Sequence, residues 1–286
     1  MKQKNISLLI LLLGTALSLL FSSCALIKDF LKTDAPNARI TSVKLDNIRL
    51  DSATLLFDVE IKNNYAVALP LVNVDYNLAS NAKPFLSGKA DIQGTVPAKE
   101  TKTIPLQVQI NYLELLKVLK DVRPGAVIPY EAKMNLSVNA PAVGPIKLPI
   151  SKSGDLPIPT VPEVKITQIK WDKLSLDEAS ARVQLHCVNK NQFAMNLAKL
   201  SYSLSLGDVE VGKSSLSQST SFAASGGEGT IEIPISFSPK NFGFALFKML
   251  AGKGSDYKLE GNLDVNTPFG QMSLPLSKKG ETKFIK

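Results

Sequence analysis

The sequence predicts a mainly β protein: two tandem antiparallel β-sandwiches of the immunoglobulin or fibronectin type III kind, each with one short α-helix. Three observations support this. Apolar and polar residues alternate in short runs, the chain matches itself between its two halves, and each half holds one stretch with helical spacing. The 286 residues leave room for two domains of about 100–150 residues each.

The internal match identifies a duplicated unit. Ile40–Leu78 aligns with Ile166–Leu204 without a gap, and identical pairs include Asn63/Asn189 and Tyr76/Tyr202. The offset is far longer than the roughly 20–50 residues of solenoid repeats, so it fits a duplicated domain. We therefore predict one sandwich over residues 37–155, a Pro-rich linker over 156–163 and a second sandwich over 164–286.

The strands are predicted by a period of two. Apolar residues alternate with polar ones in three runs: Leu55, Phe57, Val59 and Ile61; Ile104, Leu106, Val108 and Ile110; and Ile231, Ile233, Ile235 and Phe237. Such alternation indicates antiparallel strands with one buried and one wet face. Pro105 and Pro234 take matching outward positions, which favours edge strands or strand ends.

One helix per unit interrupts this pattern. Within Asn111–Lys120, residues Tyr112, Leu115, Leu116 and Leu119 have helical spacing, and Asn111 suits an N-cap. The counterpart in the second unit is Pro239–Leu250. Each apolar stripe is expected to close one end of a sandwich, in preference to a membrane or cofactor role.

The N-terminus has the features of an export signal. Lys2 and Lys4 precede an apolar run over residues 6–21, which is short for a membrane span. Ser22-Ser23-Cys24 then resembles the lipobox of bacterial lipoproteins. The resemblance implies a lipoprotein signal peptide over residues 1–23, acylation of Cys24 and a tether over residues 24–36. The alternatives are an ordinary signal peptide or an uncleaved anchor.

A lipid on Cys24 predicts the location of the mature chain. Two or three acyl chains hold a protein on a membrane almost permanently, whereas one chain holds it only marginally. Ala25 rather than Asp follows Cys24, which by analogy with enterobacterial sorting favours the outer membrane facing the periplasm. The expected partners are the membrane itself and an envelope protein or lipid.

Composition argues against several function classes. One histidine and two cysteines do not furnish a His-clustered metal site or a zinc ribbon, and aromatics at 7% argue against nucleic-acid stacking. The net charge of +8 is read as scattered surface lysines. We expect no catalytic residues, no metal ligands and no cofactor, and therefore no enzyme.

The isolated candidates have structural interpretations. Cys187 is expected to be a buried, inert thiol, with the adjacent His186 on the opposite face of the strand. Asp58 and Glu60 share a face and are read as solvated acids. Ser225–Gly229 is read as a flexible hairpin turn. The basic residues Lys278, Lys279, Lys283 and Lys286 are read as a frayed tail, or alternatively as a contact for anionic lipid.

Both units resemble the late embryogenesis abundant type 2 domain, also called the water stress and hypersensitive response (WHy) domain. The resemblance rests on a strand that ends at Asn63-Asn64 or Asn189-Lys190, a following Pro/Leu-rich segment, and the strands at Tyr76-Asn-Leu78 and Tyr202-Ser-Leu204. It implies a seven-strand sandwich with a helix and a role in tolerance of desiccation or other stress. It brings no catalytic residues.

Two functions therefore stay open. The first is a non-enzymatic lipoprotein whose polar strand faces protect envelope components during water loss. The second is a binding or assembly module that captures a protein, glycan or lipid partner along a strand edge. Carriage of a lipid between the sheets would require a cavity.

Overall fold

The computed structural model describes residues 35–140, 144–217, 219–242, 252 and 254–285. The first half contains β1 (Asn37–Asp46), β2 (Ser52–Lys62), β3 (Leu69–Ser80), β4 (Lys83–Asp91), β5 (Thr95–Val96), β6 (Thr101–Asn111), α1 (Tyr112–Val118), β7 (Val127–Ala140) and β8 (Gly144–Pro157). The second half contains β9 (Glu163–Leu174), β10 (Ala179–Val188), β11 (Met195–Leu206), β12 (Val209–Leu216), β13 (Thr220–Phe222), β14 (Glu228–Phe237), a short 3-10 helix (Pro239–Phe242), β15 (Gly254–Thr267) and β16 (Gly270–Ile285).

Each half is a sandwich of two antiparallel sheets. In the first half one sheet has the order β1-β2-β6, and the other has the order β4-β3-β7-β8 with β5 paired to β3. The second half repeats this as β9-β10-β14 and β12-β11-β15-β16, with β13 paired to β11. There the two sheets are joined by a parallel pairing of Phe284-Ile285 with Ile169-Lys170. The predicted fold class is confirmed.

The period-two runs form the core as expected. Along β2, Ala53, Leu55, Phe57, Val59 and Ile61 are almost fully buried, while the residues between them face outward and are half-buried. Burial of a side chain the size of Phe57 stabilises the fold by about 1.5–3 kcal/mol relative to exposure. The same alternation over β6 and β14 fixes which face of each strand packs inward.

The helix of the first half closes one end of its sandwich. Asn111 Oδ1 accepts hydrogen bonds from the backbone N–H groups of Leu113 and Glu114, at 2.9 and 3.2 Å, which confirms the predicted N-cap. Tyr112 and Leu115 are buried, and the Tyr112 hydroxyl donates to the carbonyl of Pro157 at 2.8 Å. In the second half, residues 243–250 of the expected helix lie outside the described residues.

Two loop interpretations need correction, and one edge prediction is confirmed. Pro105 and Pro234 lie on β6 and β14, which are outer strands of their sheets. The Gly-rich turn after Ser225 is not a hairpin turn, because β13 pairs with β11 in one sheet while β14 pairs with β10 in the other. Up to Ile285 the basic C-terminal segment is not a frayed tail, since it continues β16 and pairs with the start of β15.

Candidate functional surfaces

A buried asparagine fixes the loop that ends β2. The Nδ2 group of Asn63 donates to the carbonyls of Val67, Val96 and Pro97 at 2.8–3.2 Å. Its Oδ1 accepts from the backbone N–H of Tyr65 at 2.9 Å. The side chain is 1% exposed, and its amide satisfies backbone groups that would otherwise be buried without partners. Asn63 is therefore a structural residue of the loop.

Asn189 repeats this arrangement in the second half. Its Nδ2 donates to the carbonyls of Phe193 and Ala223 at 2.8 and 3.0 Å, and its Oδ1 accepts from the backbone N–H of Asn191 at 2.9 Å. A second buried amide, Asn191, stands where the first half has Tyr65. Because of Asn191, the loop of the second half contacts residues that lie before this half in the chain.

Asn191 and Gln192 bind the second half to the chain before it, Asn191 to the linker and Gln192 to the first half. Asn191 Oδ1 accepts from the backbone N–H of Thr160 at 2.8 Å, and Asn191 Nδ2 donates to the carbonyl of Thr160 at 3.0 Å. Gln192 donates its backbone N–H to the carbonyl of Gly125 at 2.7 Å, and its Oε1 accepts from the backbone N–H of Val127 at 2.9 Å. We call these contacts the junction.

Gly125 is required at the junction. Its φ is +94°, a left-handed conformation that side chains rarely adopt. A Cβ atom there would also lie 2.7 Å from the carbonyl oxygen of Lys190. Sequence reasoning missed the junction, although the departure of Asn191-Gln192 from Tyr65-Ala66 at matching positions was the available signal.

The outer face of the larger sheet is polar in both halves. In the first half, aligned cross-strand rows are Ser87–Asn77–Lys133–Ser151 and Lys89–Asp75–Asn135–Pro149. In the second half the matching rows are Lys213–Ser203–Glu260–Ser277 and Ser215–Ser201–Asn262–Pro275. These polar rows combine hydroxyl, amide and charged groups without a large apolar side chain, so they offer many weak hydrogen bonds to whatever lies against them.

The isolated candidates from the sequence do not come together. Cys187 is buried, and burial raises the pKa of its thiol to about 12. His186 faces outward, with its Nε2 3.6 Å from a carboxylate oxygen of Glu228. Asp58 accepts from the hydroxyl of Ser42, and Glu60 pairs with Arg39 at 2.7 Å, so these two acids have separate partners.

Within the described residues no group of three or more His, Cys, Asp or Glu side chains is arranged to hold a metal ion. Nor does this part of the chain contain a helix long and apolar enough to cross a membrane. Cys24 and the signal segment lie outside the described residues. A cleft of about 770 Å³ lies between the halves, lined in part by Lys44, Tyr130, Asp155 and Phe269.

The fold and these surfaces define a class of protein: a tandem β-sandwich with buried asparagine-fixed loops and polar outer sheets. The family model described as "Late embryogenesis abundant protein" (LEA_2) matches residues 58–154 and again residues 184–280. The chain therefore belongs to this family, with two copies of the domain.

Named relatives each match a single domain's length. The "Desiccation protectant protein Lea14 homolog" of Glycine max is 27% identical over 129 residues, which is 45% of this chain and 85% of the relative. The "Late embryogenesis abundant protein Lea14-A" of Gossypium hirsutum is 26% identical over the same fractions. A solution structure of an Arabidopsis thaliana protein is 27% identical over 45% of this chain and 85% of that protein, with a TM-score of 0.38.

Proposed function

We propose that this protein is a non-enzymatic envelope lipoprotein, held on a bacterial membrane by a lipid on Cys24, that protects envelope components during desiccation or related stress. Family membership and the desiccation-protectant relatives support the protective role. The Ser22-Ser23-Cys24 sequence supports the anchor. The location that we propose is the outer membrane, facing the periplasm.

The protective role in this proposal rests mainly on the polar rows. Removal of water deprives envelope surfaces of hydrogen-bond partners, and rows of hydroxyl, amide and charged side chains replace some of these partners. Each such bond contributes only about 0.5–1.5 kcal/mol, so the protection depends on many sites and not on one pocket. The folded sandwich holds these groups in place, because they lie on the outer face of the sheet and the contacts leave the hydrophobic core unchanged.

The test compares survival after drying. The full chain is expressed in a desiccation-sensitive Gram-negative host, beside Cys24→Ala and beside a quadruple variant that replaces Lys133, Asn135, Ser151 and Ser277 by alanine. We expect the full chain to raise survival several-fold, Cys24→Ala to lose most of that gain, and the quadruple variant to lose a measurable part of it. Palmitate labelling of the full chain but not of Cys24→Ala is expected as well. Equal survival of all strains would overturn the protective role, and labelling of Cys24→Ala would overturn the anchor.

Strand-edge capture of a partner is the second candidate, and the edges give it less support. Pro105 and Pro234 remove backbone donors from β6 and β14, and Lys83 with Pro84 opens the edge strand β4. These residue types are typical of edges that resist pairing. A single stoichiometric partner crosslinked to one of these edges, with unchanged survival after drying, would favour capture over protection.

A further inference from the structure

We propose that the loop following Asn63 is a membrane-contact surface, through which the first half rests on the lipid bilayer that holds the chain. This inference depends on the proposed lipid anchor. The membrane-contact loop comprises residues 66–68 and the first four residues of β3, 69–72, together with the lysines Lys62, Lys99 and Lys102 around it.

The loop exposes apolar residues without interruption by charge. Ala66, Val67 and Ala68 are all exposed, as are Pro70 and Val72, with exposed fractions of 37% for Val67 and 42% for Val72. The loop is also held rigidly, because the Asn63 amide donates to the carbonyl of Val67 and Leu71 donates its N–H to Gly94. A fixed apolar protrusion is suited to the acyl boundary of a bilayer.

The second half supplies an internal comparison. At matching positions it has Gln192, Phe193 and Asn196 in place of Ala66, Val67 and Pro70. Phe193 is 4% exposed and packs edge-to-face on Phe269, with ring centroids 5.5 Å apart. There the loop lies against the junction, its exposed positions at 192 and 196 are polar, and the smaller Ala198 stands in place of Val72. The apolar version occurs in the first half, where no hydrogen bond among the described residues joins the loop to the second half.

The described chain enters the fold at this end of the first half. The carbonyl of Ala35 accepts from Nδ2 of Asn64 at 3.0 Å, so the chain joins the fold beside the membrane-contact loop. The ten residues between Cys24 and Ala35 span at most about 35 Å when fully extended. An acylated Cys24 would thus keep the loop within reach of the headgroups.

The lysines give the loop a basic border. Lys99 Nζ donates to the carbonyl of Asn64 at 2.6 Å, and Lys102 Nζ donates to that of Thr95 at 3.1 Å. Lys62 is exposed at the end of β2, and Glu100 is the acid among them. Lysine side chains beside an apolar surface place their charge at the lipid headgroups while their stems stay apolar. We therefore expect preference for bilayers that contain anionic lipid.

Fluorescence quenching tests the contact. The lone tryptophan, Trp171, is replaced by phenylalanine, and a reporter is introduced as Val67→Trp or, as a matched control, Leu176→Trp. Leu176 is an exposed apolar residue just after the end of β9. Because β9 begins at Glu163, beside the junction, Leu176 lies at the opposite end of the second half. The full acylated chain is reconstituted in phosphatidylcholine/phosphatidylglycerol vesicles with and without brominated acyl chains.

We expect brominated lipid to quench Val67→Trp at least twofold and to leave Leu176→Trp nearly unchanged. We expect Lys62→Gln with Lys99→Gln to weaken the quenching several-fold, and Lys170→Gln with Lys173→Gln, two exposed lysines of the second half, to leave it unaltered. Equal quenching of the two reporters would overturn the proposal. Quenching of Val67→Trp that is insensitive to both lysine pairs would overturn the role of the basic border.

Hydrogen exchange is a second test that does not need the reporter variants to fold. It is measured on the chain with its native tryptophan. Residues 64–72 should exchange more slowly on vesicles than in detergent, and residues 196–204 should not change. Slow exchange of 64–72 in the Cys24→Ala chain without lipid would mean that the chain's own tether covers the loop, and would overturn the proposal. Absence of palmitate on Cys24 would instead refute the anchor, and the membrane contact with it. An acylated, vesicle-bound chain with an unprotected loop would refute the contact alone.

Discussion

Asn63 and Asn189 carry out the same task in the two halves because an amide both donates and accepts at the right length. Each sits where a strand of the smaller sheet leaves the core and the backbone loses its ladder partners. Their side chains replace those partners for the carbonyls of Val67 and Phe193, respectively. A hydrophobic residue of equal size would leave the carbonyls buried and unpaired.

Replacement of Asn63 by alanine should therefore destabilise the protein by about 2–4 kcal/mol, as expected when several buried backbone groups lose their partner. Urea unfolding followed by circular dichroism measures the change. Asn135→Ala is the matched control, since Asn135 is exposed on the polar rows, and should shift stability by less than about 0.5 kcal/mol. An Asn63→Ala midpoint equal to that of the control would contradict the assigned role.

The Cys187 thiol should be unreactive while the protein is folded. A pKa near 12 lowers the thiolate fraction at pH 8 by on the order of a thousandfold relative to an exposed cysteine. Iodoacetamide labelling of the Cys187 peptide, followed by mass spectrometry, should be slow in buffer and fast in urea. Rapid labelling in buffer would mean that the strand opens readily.

The same pKa gives the sign of a pH effect. Because the folded pKa of Cys187 lies above the unfolded value, its contribution to stability is complete below about pH 9 and is lost as the pH rises toward 12. Burial raises the pKa of Tyr130 to about 12 as well, so it acts in the same direction.

Between strands of the larger sheets, tyrosines recur opposite glycines. Three such registered pairs are Tyr76–Gly88, Tyr130–Gly154 and Tyr257–Gly280. In each pair the ring covers the glycine: a Cβ atom at Gly154 would lie 2.9–3.0 Å from Tyr130, and one at Gly280 would lie 3.1–3.2 Å from Tyr257. The aromatic ring covers backbone that glycine leaves bare.

Gly154→Ala should accordingly destabilise the fold by about 1–3 kcal/mol, because the buried Tyr130 ring must move. Differential scanning calorimetry checks this as a lowered Tm. Gly226→Ala does not serve as a control because Gly226 has a positive φ. Tyr130→Leu combined with Gly154→Ala should recover part of the loss, and a failure to do so would place the strain elsewhere.

The edge strands provide a separate prediction. Pro105→Thr adds a backbone N–H to β6, an outer strand, and should raise self-association several-fold through edge pairing. Gln107→Thr introduces the same side chain on the same strand without a new donor and should stay at the parent level. Sedimentation velocity at millimolar protein distinguishes them. Identical behaviour would show that Pro105 does not protect this edge.

At the scale of the whole molecule, the junction couples the two halves. Four hydrogen bonds involving two adjacent residues of the second half, Asn191 and Gln192, join it to Gly125 and Val127 of the first half and to Thr160 of the linker. Glu163 reinforces the loop through Lys190 at 3.2 Å and Lys165 at 2.7 Å, and these lysines lower its pKa to about 2. The halves are therefore expected to unfold together.

Removal of the junction hydrogen bonds should split the single unfolding transition of the two halves into two transitions. We expect Asn191→Ala with Gln192→Ala to give two calorimetric transitions where the parent gives one, because each half keeps its own core. Asn196→Ala, at an exposed position four residues after Gln192, should retain a single transition. Two transitions already present in the parent would show that the halves are independent despite their contact.

Sequence alone determined the fold class, the duplication and the buried faces, because period-two alternation fixes which side of each strand packs inward. It also located Asn111 as a cap and Pro105 and Pro234 on edges, since these depend on local backbone chemistry. The Cys24 assignment likewise rests on sequence and stays a prediction. Apart from the duplication, which is a match between two distant segments, each of these features depends on residues close together along the chain.

Only the tertiary structure decided which loops meet. The junction pairs Gln192 with Gly125, 67 positions apart, and the Gly-rich turn was misread because alternation does not say which sheet a strand joins. Likewise the exposure of Val67 and the burial of Phe193 at matching positions depend on what stands in front of each loop. Long-range packing sets these features, and a period of two carries no information about it.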